Sequence, residues 1–376
     1  MVASPTNAVT QRDLGFAIVQ RIRETADPTL YAPALMAFQA AQALDPDDGL
    51  TLVGIGGVYL GRHEFAKALV VGREAVRLSP NLDTARAVVV DALVELGRYD
   101  DADTEAAAML GVAADLSTLT RISYLAELCG KFDVALTALK LAAKSPNLKP
   151  ENAAFVAALT GNLLAYTGDR DGATAAYHHA LDLVPAHAPS LAGLARLAVG
   201  DGHLDEAITL FGRASDILPL PEYVIALADT QAAAGLTAAA TDNVKLGRAE
   251  IQLFLASGVV VDVDLALFEA DHGDPGTALE YAKAGYAATP TVRAADAIAW
   301  ALHRAGRDKE AKPYSREALR LGSRDPLLRY HAGAIEAALG HTADARRDLE
   351  LALATDPGFS ATGAAEARAI LASLPR

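Results

Sequence analysis

Sulfur, aromatic rings and positive charge are all scarce in this chain, and each shortage removes a class of function. The only cysteine among the 376 residues is Cys129. It rules out an internal disulfide and a cysteine-built zinc site. Between Leu128 and Gly130 it reads as a small buried hydrophobe rather than a reactive thiol. Aromatic residues make up 6% although hydrophobic residues reach 52%, much of it alanine. That balance suits helices that approach closely around thin cores. Lys and Arg total 33 against 47 Asp and Glu, a formal net charge of -14. Nucleic-acid phosphates require a basic footprint, so they are not expected partners. The balance favours solubility and cationic partners. Long apolar runs are also missing. The most apolar stretch, residues 253–268, is broken by Ser257, Gly258, Asp262 and Asp264, which argues against a membrane span. The first ten residues lack a basic start followed by an apolar run. This reading favours the cytoplasm, with export left open if a leader was trimmed away.

What the chain has in abundance is a period. Ala34, Ala68, Ala102, Ala135, Ala173, Ala207, Ala240, Ala278, Ala311 and Ala345 follow one another at gaps of 34, 34, 33, 38, 34, 33, 38, 33 and 34. A constant interval of this size predicts a solenoid of helical hairpins, each touching only its neighbours. The fifth unit shows the logic. A helix from about 153 to 166 is followed by Thr167-Gly-Asp-Arg170. Asp171 can open a second helix carrying Ala173, Tyr177 and Ala180 on one face, and Pro185 ends it. Gly202, Leu204, Ala207, Phe211, Ala214 and Pro219 repeat the pattern, as do Ala34, Phe38, Ala41 and Pro46 near the start and Gly340, Ala345, Leu349, Ala352 and Pro357 near the end. Small residues permit helix crossing, and the bulky residue one turn later fills the space between hairpins.

On these residues the chain resembles the tetratricopeptide-repeat (TPR) family, in a bacterial form. The family's first-helix pattern is approximated by Leu52, Ile55, Gly56 and Tyr59, and Ala68, Ala75 and Pro80 complete that unit. The resemblance implies an all-α, right-handed superhelical solenoid of about ten hairpins over residues 11–358. Residues 1–10 are expected to be disordered, and 359–376 to form a capping helix through Glu366, Ala367, Ile370 and Leu371. Two irregularities stand out. A proline-containing insertion lies near 144–151, and an overlong second helix near 243–257 leads into a unit where Asp262 replaces a large apolar residue.

No catalytic signature emerges, and the chain reads as a non-enzyme without cofactor or metal. Gly54, Gly56, Gly57 and Gly61 lack the third glycine and preceding strand of a dinucleotide loop, so they read as packing glycines. Residues 45–49 lack the later ligands of a calcium loop and read as a turn with a capping Asp. His178 and His179 are adjacent and point to different sides of a helix.

Binding remains. The resemblance implies a concave groove lined by first helices, holding a peptide or protein partner. The outward first-helix candidates are Asp91, Glu95, Tyr124, Glu127, Asn162, Tyr166, Arg196, Asp229, Arg293, Asp296, Trp300, His303 and Arg304. Arg293, Asp296, Trp300 and Arg304 share one helical face. Trp300 is either an interface anchor or a packing residue between hairpins. Asn162 matches the family's carboxylate-gripping asparagine. However, Ala158, Ala192 and Gly193 stand where basic residues belong, leaving only Arg196. Acidic residues cluster at 95–105 and basic ones at 304–329, with Lys312, Arg316 and Arg320 as a second-helix stripe. Solvated faces or end-to-end self-association both fit. The leading expectation is a protein- or peptide-binding scaffold, with self-assembly or small-molecule sensing as alternatives.

Overall fold

The computed structural model describes residues 7–260 and 262–375, and among them every regular element is helical. The chain divides into two compact units, residues 1–122 with 251–261, and residues 123–250 with 262–376. In chain order the helices of the first are α1 (Ala8–Thr25), α2 (Tyr31–Leu44), α3 (Gly49–Gly61), α4 (Phe65–Leu78), α5 (Asp83–Glu95) and α6 (Tyr99–Val112). A single 3-10 turn, Pro28–Leu30, precedes α2. Next come α7 (Leu116–Leu128), α8 (Phe132–Ala142), α9 (Pro150–Tyr166), α10 (Arg170–Leu183), α11 (Ala188–Asp201), α12 (Leu204–Ile217), α13 (Pro221–Ala233) and α14 (Thr237–Ala256). The series closes with α15 (Asp262–His272), α16 (Pro275–Ala288), α17 (Val292–Arg304), α18 (Asp308–Ala318), α19 (Pro326–Ala338), α20 (Thr342–Thr355) and α21 (Ala361–Ser373). Consecutive helices pair as antiparallel hairpins, so the chain is an all-α helical repeat solenoid.

The alanine period is the period of the packing. Nine of the ten alanines are 0% exposed, and Ala240 is 7% exposed. One turn further on, Phe38, Leu139, Tyr177, Phe211 and Leu349 are equally buried. Phe38, Tyr177 and Leu349 fit because glycines face them. Phe38 on α2 lies against Gly15 on α1 and Gly54 on α3, and a Cβ on either glycine would overlap its ring. Tyr177 on α10 is held in the same way between Gly161 on α9 and Gly193 on α11. One ring therefore locks its own hairpin to the next. Gly56 and Gly61 also face side chains, Val88 and Tyr31, whereas Gly57 has open space.

The turns follow local chemistry. Gly168 takes φ +84° between α9 and α10, a left-handed conformation that a side chain would strain. The α3–α4 turn does the same at His63, φ +58°. There the Val260 carbonyl sits 2.6 Å from the imidazole Nδ1, and the Val260 N–H donates to the Arg62 carbonyl at 3.1 Å. Residues 258–260 thereby join the first unit. Asp48 caps α3, accepting from the Leu50 N–H and the Thr51 hydroxyl. Asp169 rather than Asp171 caps α10, accepting from the Gly172 N–H.

The structure revises several local expectations. Residues 8–10 form the first turn of α1, capped by the Asn7 side chain, so they are helical rather than disordered; residues 1–6 lie outside the described residues. Cys129 is half-buried rather than buried. Residues 143–149 form the loop between α8 and α9, with Asn147 at φ +56°. The overlong helix is α14, of 20 residues. The Asp262 side chain lies outside what is described. Among the described residues no helix is long and apolar enough to cross a membrane.

If the small residue sets how closely helices approach, Ala173→Leu will overpack the α9–α10 crossing. We expect a loss of about 1–3 kcal/mol, with the thermal midpoint falling roughly 2–4 °C for each kcal/mol. Val70→Ser, at a position 70% exposed, should change stability by no more than about 0.5 kcal/mol. Equal melting shifts for the two variants in calorimetry would refute this packing scheme.

Candidate functional site

The α17 face picked out by the sequence does not form one free surface. Trp300 is 1% exposed and stacks on His331 of α19, with ring centroids 3.9 Å apart. Its indole N–H donates to Asp271 at 2.8 Å. Asp296 is buried and meets the His331 Nδ1 at 2.8 Å. Arg304 donates to the Ala270 carbonyl and lies over the Trp300 ring, and His303 stacks on that ring from the other side of the same turn while meeting Asp308. Arg293, with Asp264 at 3.1 Å, and Arg304 remain exposed at the two ends of the face. An indole is large enough to bridge two hairpins, and that packing removes Trp300 as a surface anchor.

Most of the other candidates converge on the inner face of the second unit. Here the late hairpins return against the early ones. The α7–α8 turn at Gly130 meets the Gly322 carbonyl before α19, and Arg324 lies 5.1 Å from the Phe132 ring centre. Between these elements is a cavity of about 280 Å³. Tyr124, Glu127, Phe132 and Tyr166 line it from α7–α9, facing Arg293 and Asp296 from α17 and Asp325 and Leu327 at the start of α19. A second cavity, of about 490 Å³, shares Leu327 with it. Its walls carry Asn162, Arg196, Glu222, Tyr223, Asp229 and Asp271, closed on one side by Phe359.

Several carboxylates in these walls have partners: Asp229 meets the His272 Nε2 at 3.5 Å, Asp271 accepts from Trp300, and Asp296 meets His331. Burial, with the nearby charge of Asp325, pushes Glu127 up to about 7. Burial, with Asp271, does the same to Asp229, also to about 7. Asp325 is raised by burial too, even though its side chain caps α19 by accepting from the Leu327 and Leu328 N–H groups. Asn162 does not wait for a ligand: its side-chain oxygen accepts from the Tyr177 hydroxyl at 2.7 Å and from Arg196 at 2.9 Å. Tyr166 lies tilted against Phe132 at 5.8 Å. Together these groups offer acceptors, two aromatic faces and one guanidinium. Among the described residues no cluster of three or more His, Cys, Asp or Glu is placed to hold a metal.

Asp91 lies elsewhere, in the first unit, paired with Arg121. The charge clusters are likewise locally matched. In the acidic stretch Arg98 pairs with Asp101 and Arg86 with Glu105. In the basic stretch Arg307 pairs with Glu310, Lys312 with Glu336, Arg320 with Glu317 and Arg329 with Asp348. Arg320 lies beyond the end of α18, so the expected stripe is two residues long on the helix. Sequence reasoning missed Asp271, Asp325, Leu327 and Phe359. Asp325-Pro326 announces a helix start, but nothing local shows that this start abuts α7–α9.

Residues 164–230 match the sequence model of the tetratricopeptide repeat. No curated protein matches the chain in sequence. Among solved structures, the chain resembles a monomeric mutant of IFIT1 solved with Gppp-AAAA, at 15% identity over 84% of this chain and 71% of that one, TM-score 0.53. It also aligns with PilW, a type IV pilus biogenesis factor (16% identity, 54% of this chain, 94% of that one, TM-score 0.45), and with yeast Tom70 (14%, 96% and 95%, TM-score 0.35). At these identities the likeness concerns the fold alone.

Two measurements probe these placements. Glu127 keeps its proton in the folded chain up to about pH 7, but loses it near 4.5 when unfolded. Between those values the folded state binds more protons, so this contribution to stability falls as the pH rises. Glu127→Gln should therefore raise the thermal midpoint by about 2–4 °C at pH 8 and by little at pH 4.5, with Asp229→Asn behaving alike. A pH-independent shift would show that these carboxyls are not held protonated. Trp300→Ala should cost about 3–5 kcal/mol of stability, read by chemical denaturation, as expected for a core indole.

Proposed function

We propose that this helical-repeat chain, whose residues 164–230 match the tetratricopeptide repeat, is a non-catalytic scaffold holding a segment of a protein partner on the inner face of its second unit. The observation that carries this reading is the pair of adjoining cavities sharing Leu327, whose walls hold the half-buried carboxyls of Glu127 and Asp229 beside aromatic faces. Withdrawing a carboxylate from water is costly unless it gains partners. A peptide offers backbone N–H groups or basic side chains to Glu127 and Asp229, and apolar side chains to the Tyr124, Phe132 and Tyr223 faces. Aromatic residues are effective anchors because they bury a large area with few rotatable bonds. The face is built from packed helices, so little further ordering is required on binding.

A second reading has one observation in its favour. A cavity of about 490 Å³ falls within the range of small-ligand sites. In that case a metabolite raises the melting temperature without any protein partner.

Affinity capture from the native cell tests the scaffold reading. Tyr124→Ala combined with Tyr223→Ala should reduce recovery of the partner at least about tenfold, as expected for loss of two anchors. Val70→Ser should leave it unchanged. Equal recovery with all three proteins would place the partner elsewhere or remove it altogether.

A further inference from the structure

A terminal helix that only caps a solenoid needs to touch nothing but the last hairpin. α21 does pack on α19 and α20, but it also packs on α13. The turn leading into it reaches further, onto α11. A Cβ at Gly358 would overlap the Arg196 carbonyl, and Pro357 and the Gly358 N–H lie over Gly200. Only glycine fits this close approach to the backbone, so the segment is seated rather than draped. Asp356 is buried, with its side chain accepting from the Gly358 N–H at 2.9 Å. Burial raises its carboxyl above the usual range, and the charges of Arg196 and Arg170 pull it back down. Phe359, Ser360 and Ala361 then form one wall of the larger cavity beside Arg196 and Tyr223.

We propose that the Asp356–Phe359 segment is an internal stand-in for the partner: the inner face of α9–α13 recognises a peptide with an acidic residue, then small residues, then an aromatic, and the chain's own turn occupies that place until displaced. This rests on the scaffold reading above and names its ligand class. The chemistry is asymmetric. The acid belongs near Arg196 and Arg170, whereas Glu222, Asp229 and Asp271 disfavour further negative charge in the cavity. A competing peptide therefore carries one acid at that position and is neutral or basic beyond its aromatic residue.

The test uses the full chain and a fluorescein-labelled synthetic peptide of residues 354–362, followed by anisotropy. Gly358→Leu unseats the turn while leaving the α20–α21 packing residues intact. It should bind the peptide at least about tenfold more tightly than the parent, since an internal competitor lowers apparent affinity by the fraction of time it occupies the site. Phe359→Ala provides a second opening variant should the first fail to fold. Adding Arg196→Gln to either should abolish the gain, and a peptide with Asn in place of Asp should bind about fivefold or more weakly. If neither variant gains affinity, or if the gain survives Arg196→Gln, the internal-ligand idea is wrong. Partner capture that stays sensitive to Tyr124 and Tyr223 while the peptide fails would overturn this idea alone; insensitivity there would overturn the scaffold reading as well.

Discussion

Close approach of helix backbones is the constraint on which the rest of this structure depends. At nine of the ten crossings from Ala34 to Ala345 a residue with no more than a methyl group is enclosed completely, and Ala240 is 7% exposed. Packing at this density leaves no room for an extra methylene without displacing neighbours. The same closeness creates the slots that large residues fill. Phe38 and Tyr177 each stand between two glycines on successive first helices, so one side chain carries the contact within a hairpin and the contact to the next. An isolated hairpin would leave such a ring half exposed; stacking is what makes the fold stable.

The inner face of the second unit follows from this geometry. Because the hairpins stack closely and curl, the elements around residues 322–328 and 356–361 come to lie against α7–α13. Side chains that a more open array would leave in water become partly dehydrated. Carboxylates respond most, since burial penalises their charged form, and Glu127 and Asp229 are pushed up to about 7. Charge on the outer helices behaves differently. Arg77 with Glu74 and Arg307 with Glu310 pair within a helical turn in solvent, where such contacts contribute little to stability.

Periodicity was legible because it is local: spacing of small, large and small residues along one helix encodes which face is buried. The positions of the hairpin helices, their glycine turns and the capping of α3 by an aspartate could all be read that way. Trp300 could not be decided. The spacing Arg293, Asp296, Trp300 and Arg304 puts the residues on one helical face, but whether that face meets solvent or α19 depends on His331, one repeat away. The candidate site was legible only by halves. Tyr124, Glu127, Asn162, Tyr166 and Arg196 could be nominated from helix faces, while the residues opposite them belong to turns more than a hundred positions later. No pattern within a repeat reports a contact made by the curl of many repeats.

That curl also explains how a chain with so few rings and so many carboxylates builds a polar inner face. The aromatic residues are concentrated where hairpins lock, as with Tyr177, and where the late turns close the inner face, as with Phe132 beneath Arg324 and Phe359 beside Tyr330. Apolar residues could have filled the inner face and stabilised it further, since partly dehydrated acids oppose folding. Their presence, together with an Arg196 already committed to Asn162, leaves the face polar while the crossings around it are tightly packed. The tight crossings thus hold half-dehydrated acids in place at a cost in stability, since neither the helices nor their side chains can relax far enough to return those groups to water.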